Sequence, residues 1–337
     1  MHALINWLVS SWYRKSVIRF VLLPIAVVYC SLMRIRRFFY KHGLLHTRWF
    51  PFPIIIVGNI TVGGTGKTPL VIKLVKQLQQ NGYRPGIVSR GYGARAEKYP
   101  LSVTDDSAAS DVGDEALLLY RRCQCPTVVD PVRPRAVAHL LESDCDIVIS
   151  DDGMQHYALG RDIEIVVLDG DRGLGNRLCM PAGPLREPPA RLNDADIIVK
   201  TGGNEQEGVW TMSLKPDSFI NVFDQTLTQA LPAFSGKRVH AAAGIGNPDR
   251  FFQTMKNLGS EVLASAFPDH YNYDCSDLVF DDELPVIMTE KDAVKYEKAG
   301  ADLSESSRQR YWFLRVEPEF SRDSEFENKL RSLLEEK

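Results

Sequence analysis

The chain has 337 residues, 44% of them hydrophobic and 25% charged, which suffices for a buried core and for two domains, or one large domain with additions. Its net charge of −3 carries no nucleic-acid signature. The six cysteines, at 30, 123, 125, 145, 179 and 275, form no Cys-x-x-Cys pair and no Cys/His spacing suited to zinc; reduced thiols in a cytosolic compartment fit best.

Charge is unevenly spread. Residues 1–50 hold Arg14, Lys15, Arg19, Arg34, Arg36, Arg37, Lys41 and Arg48 and no acidic residue, whereas the chain from Glu317 onward is rich in acids. Within the basic segment, residues 20–33 are uncharged, contain Pro24, and are closed by Arg19 and Arg34. That run is shorter than the roughly 20 residues that span a bilayer, and no small-residue cleavage site follows it. The pattern predicts a membrane-associating helical segment over residues 1–45 that lies in the interface, its arginines on lipid phosphates and Trp7, Trp12 and Tyr13 near the headgroups. A soluble helix packed on a domain surface is the competing reading.

After Arg48 short apolar runs alternate with helical patterns. Strands are predicted at 54–57, 86–90, 127–129, 146–150, 163–168 and 197–199, and helices at 69–80, 111–122 and 133–142. This alternation predicts a mainly parallel sheet covered by helices over residues 46–208. A long Gly-, Pro- and Arg-rich loop at 170–189 interrupts it, and a loop of that length inside a compact domain is usually functional. The pattern weakens over 209–230, read as an extended linker. A second, smaller α/β domain over 231–337 is predicted from strands at 238–243, 261–266, 285–288 and 311–316 and helices at 248–258 and 324–334.

The sharpest motif is Gly63-Gly64-Thr65-Gly66-Lys67-Thr68, between the first strand and the first of these helices. Backbone N–H groups and a helix N-terminus surround a β-phosphate in such a turn, a lysine reaches the β/γ oxygens, and a threonine hydroxyl ligates Mg²⁺. The general motif has a glycine where this chain has Thr61; Gly63 and Gly64 supply backbone freedom nearby. A second motif, Asp151-Asp152-Gly153, ends the strand predicted at 146–150. That is where nucleotide kinases of this architecture keep the acid of the Mg²⁺ shell, and two adjacent carboxylates favour a cation between them; a plain Asp-Asp-Gly turn is the alternative. Phosphoryl transfer to an alcohol also needs a proton acceptor. Asp114 and Glu115 open a helix after Gly113, where a carboxylate gains from the dipole. Arg186-Glu187, in the long loop, offers a guanidinium for phosphate.

Together these stretches resemble one family. Residues 58–69, Gly-Asn-Ile-Thr-Val-Gly-Gly-Thr-Gly-Lys-Thr-Pro, are similar to the signature of the tetraacyldisaccharide 4′-kinases, the lipid A kinases of Gram-negative bacteria. Agreement extends to Ser89-Arg90-Gly91-Tyr92-Gly93, Gly113-Asp114-Glu115, Asp151-Asp152-Gly153-Met154-Gln155-His156 and Pro181-Ala182-Gly183-Pro184-Leu185-Arg186-Glu187. It continues in Gly244-Ile245-Gly246-Asn247-Pro248, Asp269-His270 and Thr289-Glu290-Lys291-Asp292, in order along nearly the whole chain. Thr61 is itself typical of that family. Met154 stands where the family more often has Phe, and Tyr271 where a second His is frequent.

The resemblance implies a P-loop kinase that uses ATP and Mg²⁺ to phosphorylate the 4′-hydroxyl of a tetraacylated glucosamine disaccharide 1-phosphate at the cytoplasmic face of the inner membrane. It implies that Gly63, Gly64, Thr65, Gly66, Lys67 and Thr68 hold the triphosphate, that Thr68, Asp151 and Asp152 serve the metal, and that Asp114 accepts the hydroxyl proton. His270, from the second domain, would tune or orient Asp114, so that closure on ATP assembles the site. Asn59, Glu115, Arg135, Gln155, Arg186 and Glu187 would lie around nucleotide, metal or substrate phosphates. Physics agrees about the N-terminus: each acyl CH₂ withdrawn from the bilayer costs about 0.8 kcal/mol, so an enzyme for that headgroup must come to the interface. Two other readings compete, a membrane-recruited P-loop NTPase switch that makes no phosphorylated lipid and a soluble kinase for a small metabolite; the apolar, basic N-terminus argues against the second.

Overall fold

The computed structural model describes residues 9–14, 16–96 and 98–336; Trp7 and Lys15 lie outside the described residues. The chain divides into two compact units. The first comprises residues 1–89, 132–213 and 319–337, the second 90–131 and 214–318. This differs from the contiguous division expected: residues 90–131 group with the later part of the chain, and the last helix, Asp323–Glu335, with the first unit. The expected linker at 209–230 carries a 12-residue strand, Trp210–Asn221, and a short one, Thr228–Ala230. In the longer strand only Met212, Phe219, Ile220 and Asn221 are buried, so the run lacks the continuous apolar signal of the other strands.

In the first unit, strand Ile54–Gly58 lies parallel between Ile147–Asp151 and Ile163–Asp169; Pro85–Ser89 extends the sheet on one side, and Ile197–Thr201 and the start of Trp210–Asn221 on the other. The runs Ile54–Gly58, Pro85–Ser89 and Ile147–Asp151 are buried at every position, as parallel strands covered on both faces must be. Helix Lys67–Gln80 places Leu70, Val71, Leu74, Val75 and Leu78 in the core at helical spacing. Its Lys73 pairs with Asp323 at 2.8 Å.

Helix Ile18–Lys41 also belongs to this unit, and its 24 residues make it about 36 Å long. By length and composition it could cross a membrane. Only Ala26 in it is fully buried. The more protected positions, 18, 19, 22, 23, 26, 29, 30, 33, 37 and 40, lie along one face, and on that face Tyr29 donates its hydroxyl to the Arg186 carbonyl and Arg37 pairs with Asp194. The rest of the surface exposes Phe20, Val21, Ile25, Val28, Leu32 and Ile35, each at least 50% accessible.

The second unit has four parallel strands in the order Glu261–Ala266, Arg238–Ala243, Val286–Thr289, Tyr311–Phe320; the later half of Trp210–Asn221 lies next to the last of them, where the Val222 N–H bonds to Tyr311 O. The helix expected over 111–122 is two helices, Ala109–Val112 and Asp114–Cys123, the second opening after Gly113 as read from the carboxylates at 114 and 115. A helix over Glu290–Ala299 went unread in the sequence although Thr289 caps it, its side chain accepting from the Asp292 N–H. Val112, Ala116, Leu117 and Leu118 pack with Val294 of that helix, so the two helices share a core.

Candidate active site

The phosphate loop is held open by contacts beneath it. Gly66, at φ +87°, caps helix Lys67–Gln80 in the left-handed region that side chains avoid. A Cβ there would also lie 2.6 Å from Thr201 Oγ1. Thr201 donates that hydroxyl to the Thr65 carbonyl at 2.8 Å. Asn59, fully buried, donates to the Gly63 carbonyl at 3.3 Å and to Thr65 Oγ1 at 3.2 Å. Its amide therefore braces the loop from below. Thr61 forms a short antiparallel bridge with Leu185, flanked by bonds from the Arg186 N–H to Ile60 O (2.7 Å) and from the Val62 N–H to Pro184 O (2.8 Å). Position 61 is thus extended backbone, which needs no glycine. The bridge also fixes the long loop that carries Arg186.

Parallel pairing of Val57 with Asp151 sets the paired aspartates level with the start of the phosphate loop. Asp151 is buried, and Arg133 Nη2 donates to its carbonyl at 2.8 Å. Asp152, at φ +48°, turns toward cations: Lys67 Nζ stands 3.5 Å from Oδ1, and Arg186 Nη1 reaches both oxygens at 3.2 and 3.1 Å. Burial opposes ionisation of Asp152, but Lys67, Arg186 and Arg133 outweigh it and bring its pKa down to about 2. Arg133 is fully buried, whereas Arg135, expected near the ligand, is on the exposed side of the same helix. Gln155 and Glu187 bond to each other at 2.8 Å. Glu187 also takes the Tyr157 hydroxyl and lies 3.6 Å from Arg191, which is itself bidentate to Glu164. These two residues sit in a buried network that anchors the loop behind Arg186.

In the second unit, Gly113 adopts φ +90°, and a Cβ would lie 2.9 Å from the Tyr92 carbonyl. That break makes Asp114 the first residue of helix Asp114–Cys123, with Glu115 beside it. Asp114 is 5% accessible. His270 Nδ1 lies 3.0 and 3.2 Å from its two carboxylate oxygens, and the Tyr92 ring lies 4.6 Å from the imidazole. Asp114 and His270 belong to one unit and are already in contact, which corrects the expectation that domain closure brings them together. Lys291 stands 3.9 Å and Lys295 4.0 Å from Asp114. Burial raises the Asp114 pKa, but the His270 hydrogen bond and the charges of Lys291, His270 and Lys295 more than offset this, leaving it below the ordinary carboxylate value.

The family model for tetraacyldisaccharide-1-P 4′-kinase matches residues 18–335. The chain belongs to this family. A tetraacyldisaccharide 4′-kinase of Nitrosococcus oceani is 46% identical over 326 residues, covering 96% of this chain and 93% of the relative. One from Alkalilimnicola ehrlichii is 48% identical over 294 residues, covering 87% and 86%. Among solved structures, LpxK from Aquifex aeolicus in complex with ATP matches with a TM-score of 0.77 and 27% identity, over 94% of this chain and 99% of that one. The fold is that of this kinase family, and the reading as a P-loop switch without a lipid product is not favoured.

Sequence reasoning missed Thr201, Arg133 and the two lysines. Thr201 ends a strand with no motif around it, and Arg133 stands two places before Arg135, the arginine expected near the ligand. Lys291 stood within a quoted motif, and the Thr289 cap with Asp292 three residues later was the signal for the helix that presents it.

Proposed function

We propose that this kinase transfers the γ-phosphoryl group of ATP to the 4′-hydroxyl of a tetraacylated glucosamine disaccharide 1-phosphate, in the late steps of lipid A synthesis. The observation that carries this reading is the presence, in a member of that family, of both reaction components: a braced phosphate loop with Lys67 beside an ionised aspartate, and a buried Asp114 carboxylate held by a histidine. The loop amides of Gly63–Thr68 and Lys67 hold the triphosphate, and Arg186 adds a second cation on it. Thr68, Asp151 and Asp152 offer only oxygen donors, one of them a carboxylate kept charged, which suits Mg²⁺. No cluster of three or more His, Cys, Asp or Glu set to hold a metal occurs among the described residues. This fits an ion that takes one or two carboxylates and completes its shell with phosphate oxygens and water. Bound Mg²⁺ supplies neutralisation of charge on the β- and γ-phosphates.

Asp114 accepts the sugar hydroxyl proton and His270 orients it. A carboxyl with a lowered pKa is a weak base, which suits a loose transition state in which little bonding to the nucleophile has formed. The exposed apolar side of helix Ile18–Lys41, flanked by Arg34, Arg36 and Lys41, docks at the membrane that holds the acyl chains. One stripe of that helix is committed to protein contacts, which favours lying in the interface over crossing the bilayer. Because ATP is cytoplasmic, the docking leaflet is the cytoplasmic one.

The test supplies full-length protein with ATP, Mg²⁺ and the lipid disaccharide 1-phosphate, first in detergent and then in anionic vesicles. Phosphorylated lipid is expected in both; ATP hydrolysis without it would overturn the kinase reading. Replacing Phe20, Val28 and Leu32 together by Ser is expected to abolish activity on vesicles while leaving detergent activity intact. Equal loss in both media would remove the docking role.

A further inference from the structure

Arg172 has no part in the chemistry described so far, yet its guanidinium stands over the phosphate loop. Gly63 adopts φ +105°, and a Cβ there would lie 3.7 Å from Arg172 Nη1; one on the next residue, Gly64, would meet no described residue within 4 Å. The loop therefore opens outward at Gly64, with a cation at the rim beside Gly63. Lys67 and Arg186, the other cations of the site, both reach Asp152. Arg172 approaches from elsewhere, three residues past the end of strand Ile163–Asp169.

Its place is set from both ends. At the backbone, Asp169 Oδ1 accepts from the Asp171 and Arg172 N–H groups at 2.9 Å each, and the Asp169 carbonyl accepts from the Gly173 N–H at 2.8 Å. The side chain thus leaves a capped turn at a fixed point. At its far end the guanidinium carbon lies 5.8 Å from the centre of the Tyr13 ring, within cation–π range. Tyr13 precedes the membrane-docking helix, and its neighbour holds it against the long loop. Trp12, which is buried, donates its indole N–H to Pro181 O at 3.0 Å, and its carbonyl accepts from the Asn176 N–H, also at 3.0 Å. Gly175 leaves room for this crossing, since a Cβ there would lie 3.1 Å from both Trp12 O and the Tyr13 ring. The same long loop is bridged to Thr61 through Leu185, so ring, guanidinium and phosphate loop form one assembly.

We propose that Arg172 is a catalytic residue that binds the γ-phosphate of ATP, and that Tyr13 is a positioning residue that holds its guanidinium over Gly63. The proposal rests on the reading of Gly63–Thr68 as the triphosphate site and is independent of which group accepts the proton. In such a loop the amides at the helix start take the phosphates nearer the nucleoside. The rim three residues earlier faces the terminal one. A planar guanidinium there offers two N–H donors to one phosphoryl group, and its charge offsets the charge that spreads over the phosphoryl oxygens during transfer. The segment ahead of the docking helix thereby becomes part of the nucleotide site.

The experiment measures equilibrium binding of ATP and of ADP, each with Mg²⁺, to full-length protein in detergent, beside kcat in the lipid kinase assay. Arg172→Met is expected to weaken ATP binding about 10- to 100-fold, to leave ADP binding unchanged, and to lower kcat on the order of 10²-fold. Preserved ADP binding also reports that the variant is folded with its loop intact. Arg172→Lys keeps the charge without the fork and should fall between native protein and Arg172→Met. Tyr13→Leu is expected to reproduce the ATP-selective loss at a smaller size, whereas Tyr13→Phe keeps the ring face and should match native protein. In the Arg172→Met background, Tyr13→Leu should cost nothing further. Equal losses for ATP and ADP would put Arg172 elsewhere on the nucleotide, and unchanged ATP affinity would remove it from the site; either result overturns the proposal. Native ATP affinity in Tyr13→Leu, or additivity of the two changes, overturns the role of Tyr13. Failure of native protein to bind either nucleotide would instead sink the triphosphate reading of the loop.

Discussion

The phosphate loop of the first unit is made mostly of backbone. Gly66 must be glycine because of its φ and the Thr201 hydroxyl beneath it, and Asn59 and Thr201 bond to the loop's own carbonyls. The Asp114 cluster of the second unit is made of side chains brought from three distant stretches of sequence, at 114–115, 269–270 and 291–295. A site made of backbone is written locally, as a run of small residues at a strand–helix junction. A site made of converging side chains has no local spelling, and its members look like ordinary surface charge until the fold brings them together. The nucleotide half and the proton-transfer half should therefore fail in different ways.

The largest expected effect is that of Asp114→Ala, a fall in kcat of about 10²–10⁴-fold with ATP affinity nearly unchanged. Lys67→Ala should lower turnover by about 10²–10³-fold and weaken nucleotide binding as well. Equilibrium binding of ATP beside steady-state kinetics separates the two. If Asp114→Ala lost nucleotide affinity as severely as Lys67→Ala, the division of labour between the halves would be wrong. The acid limb of the native profile should also lie below that of an ordinary carboxylate, since the Asp114 pKa is lowered and the active form is the ionised one.

Next comes the ion-pair network that ties the second half together. Arg122, 6% accessible, pairs with Glu290 at 2.6 Å and with Glu317, joining the end of the Asp114 helix to the start of the Lys291 helix. Glu290 is so buried that its pKa is raised despite Arg122 and Arg315. Arg122→Met would leave that buried carboxylate only Arg315, 3.5 Å away, and is expected to destabilise the protein by up to about 3 kcal/mol, read by denaturant unfolding. Arg122→Met with Glu290→Gln should recover much of the loss. A cost below about 1 kcal/mol would show that the pair behaves as a surface bridge and does not hold the two helices in register.

Much of the first unit was legible because its strands are buried on both faces and read as unbroken apolar runs, such as 54–57 and 165–168. The aspartate pair could be placed because strand–helix alternation set Ile147–Asp151 beside Ile54–Gly58. Segments with mixed burial were harder. Trp210–Asn221 read as a linker. The grouping of residues 90–131 with the later chain could not be seen, because it depends on Val112, Leu117 and Leu118 meeting Val294. That grouping is what makes Asp114 and His270 neighbours within one unit. Asn59 and Gln155 were read as ligand contacts for a related reason, since a sequence does not say which way a polar side chain points.

Asn59 offers the smallest and most discriminating change. Its amide makes two bonds to the loop, to Gly63 O and Thr65 Oγ1, and each is worth about 1 kcal/mol. Asn59→Ala would leave the Thr201 bond to the Thr65 carbonyl in place, so the loop should loosen and still form. The expected result is a several-fold rise in KM for ATP with kcat nearly constant, the pattern of lost uniform binding, and Thr201→Val should behave alike. A fall in kcat comparable to that of Lys67→Ala would mean that Asn59 acts on the transferring phosphate itself, and the nucleotide half would then depend on a side chain as directly as the Asp114 half does.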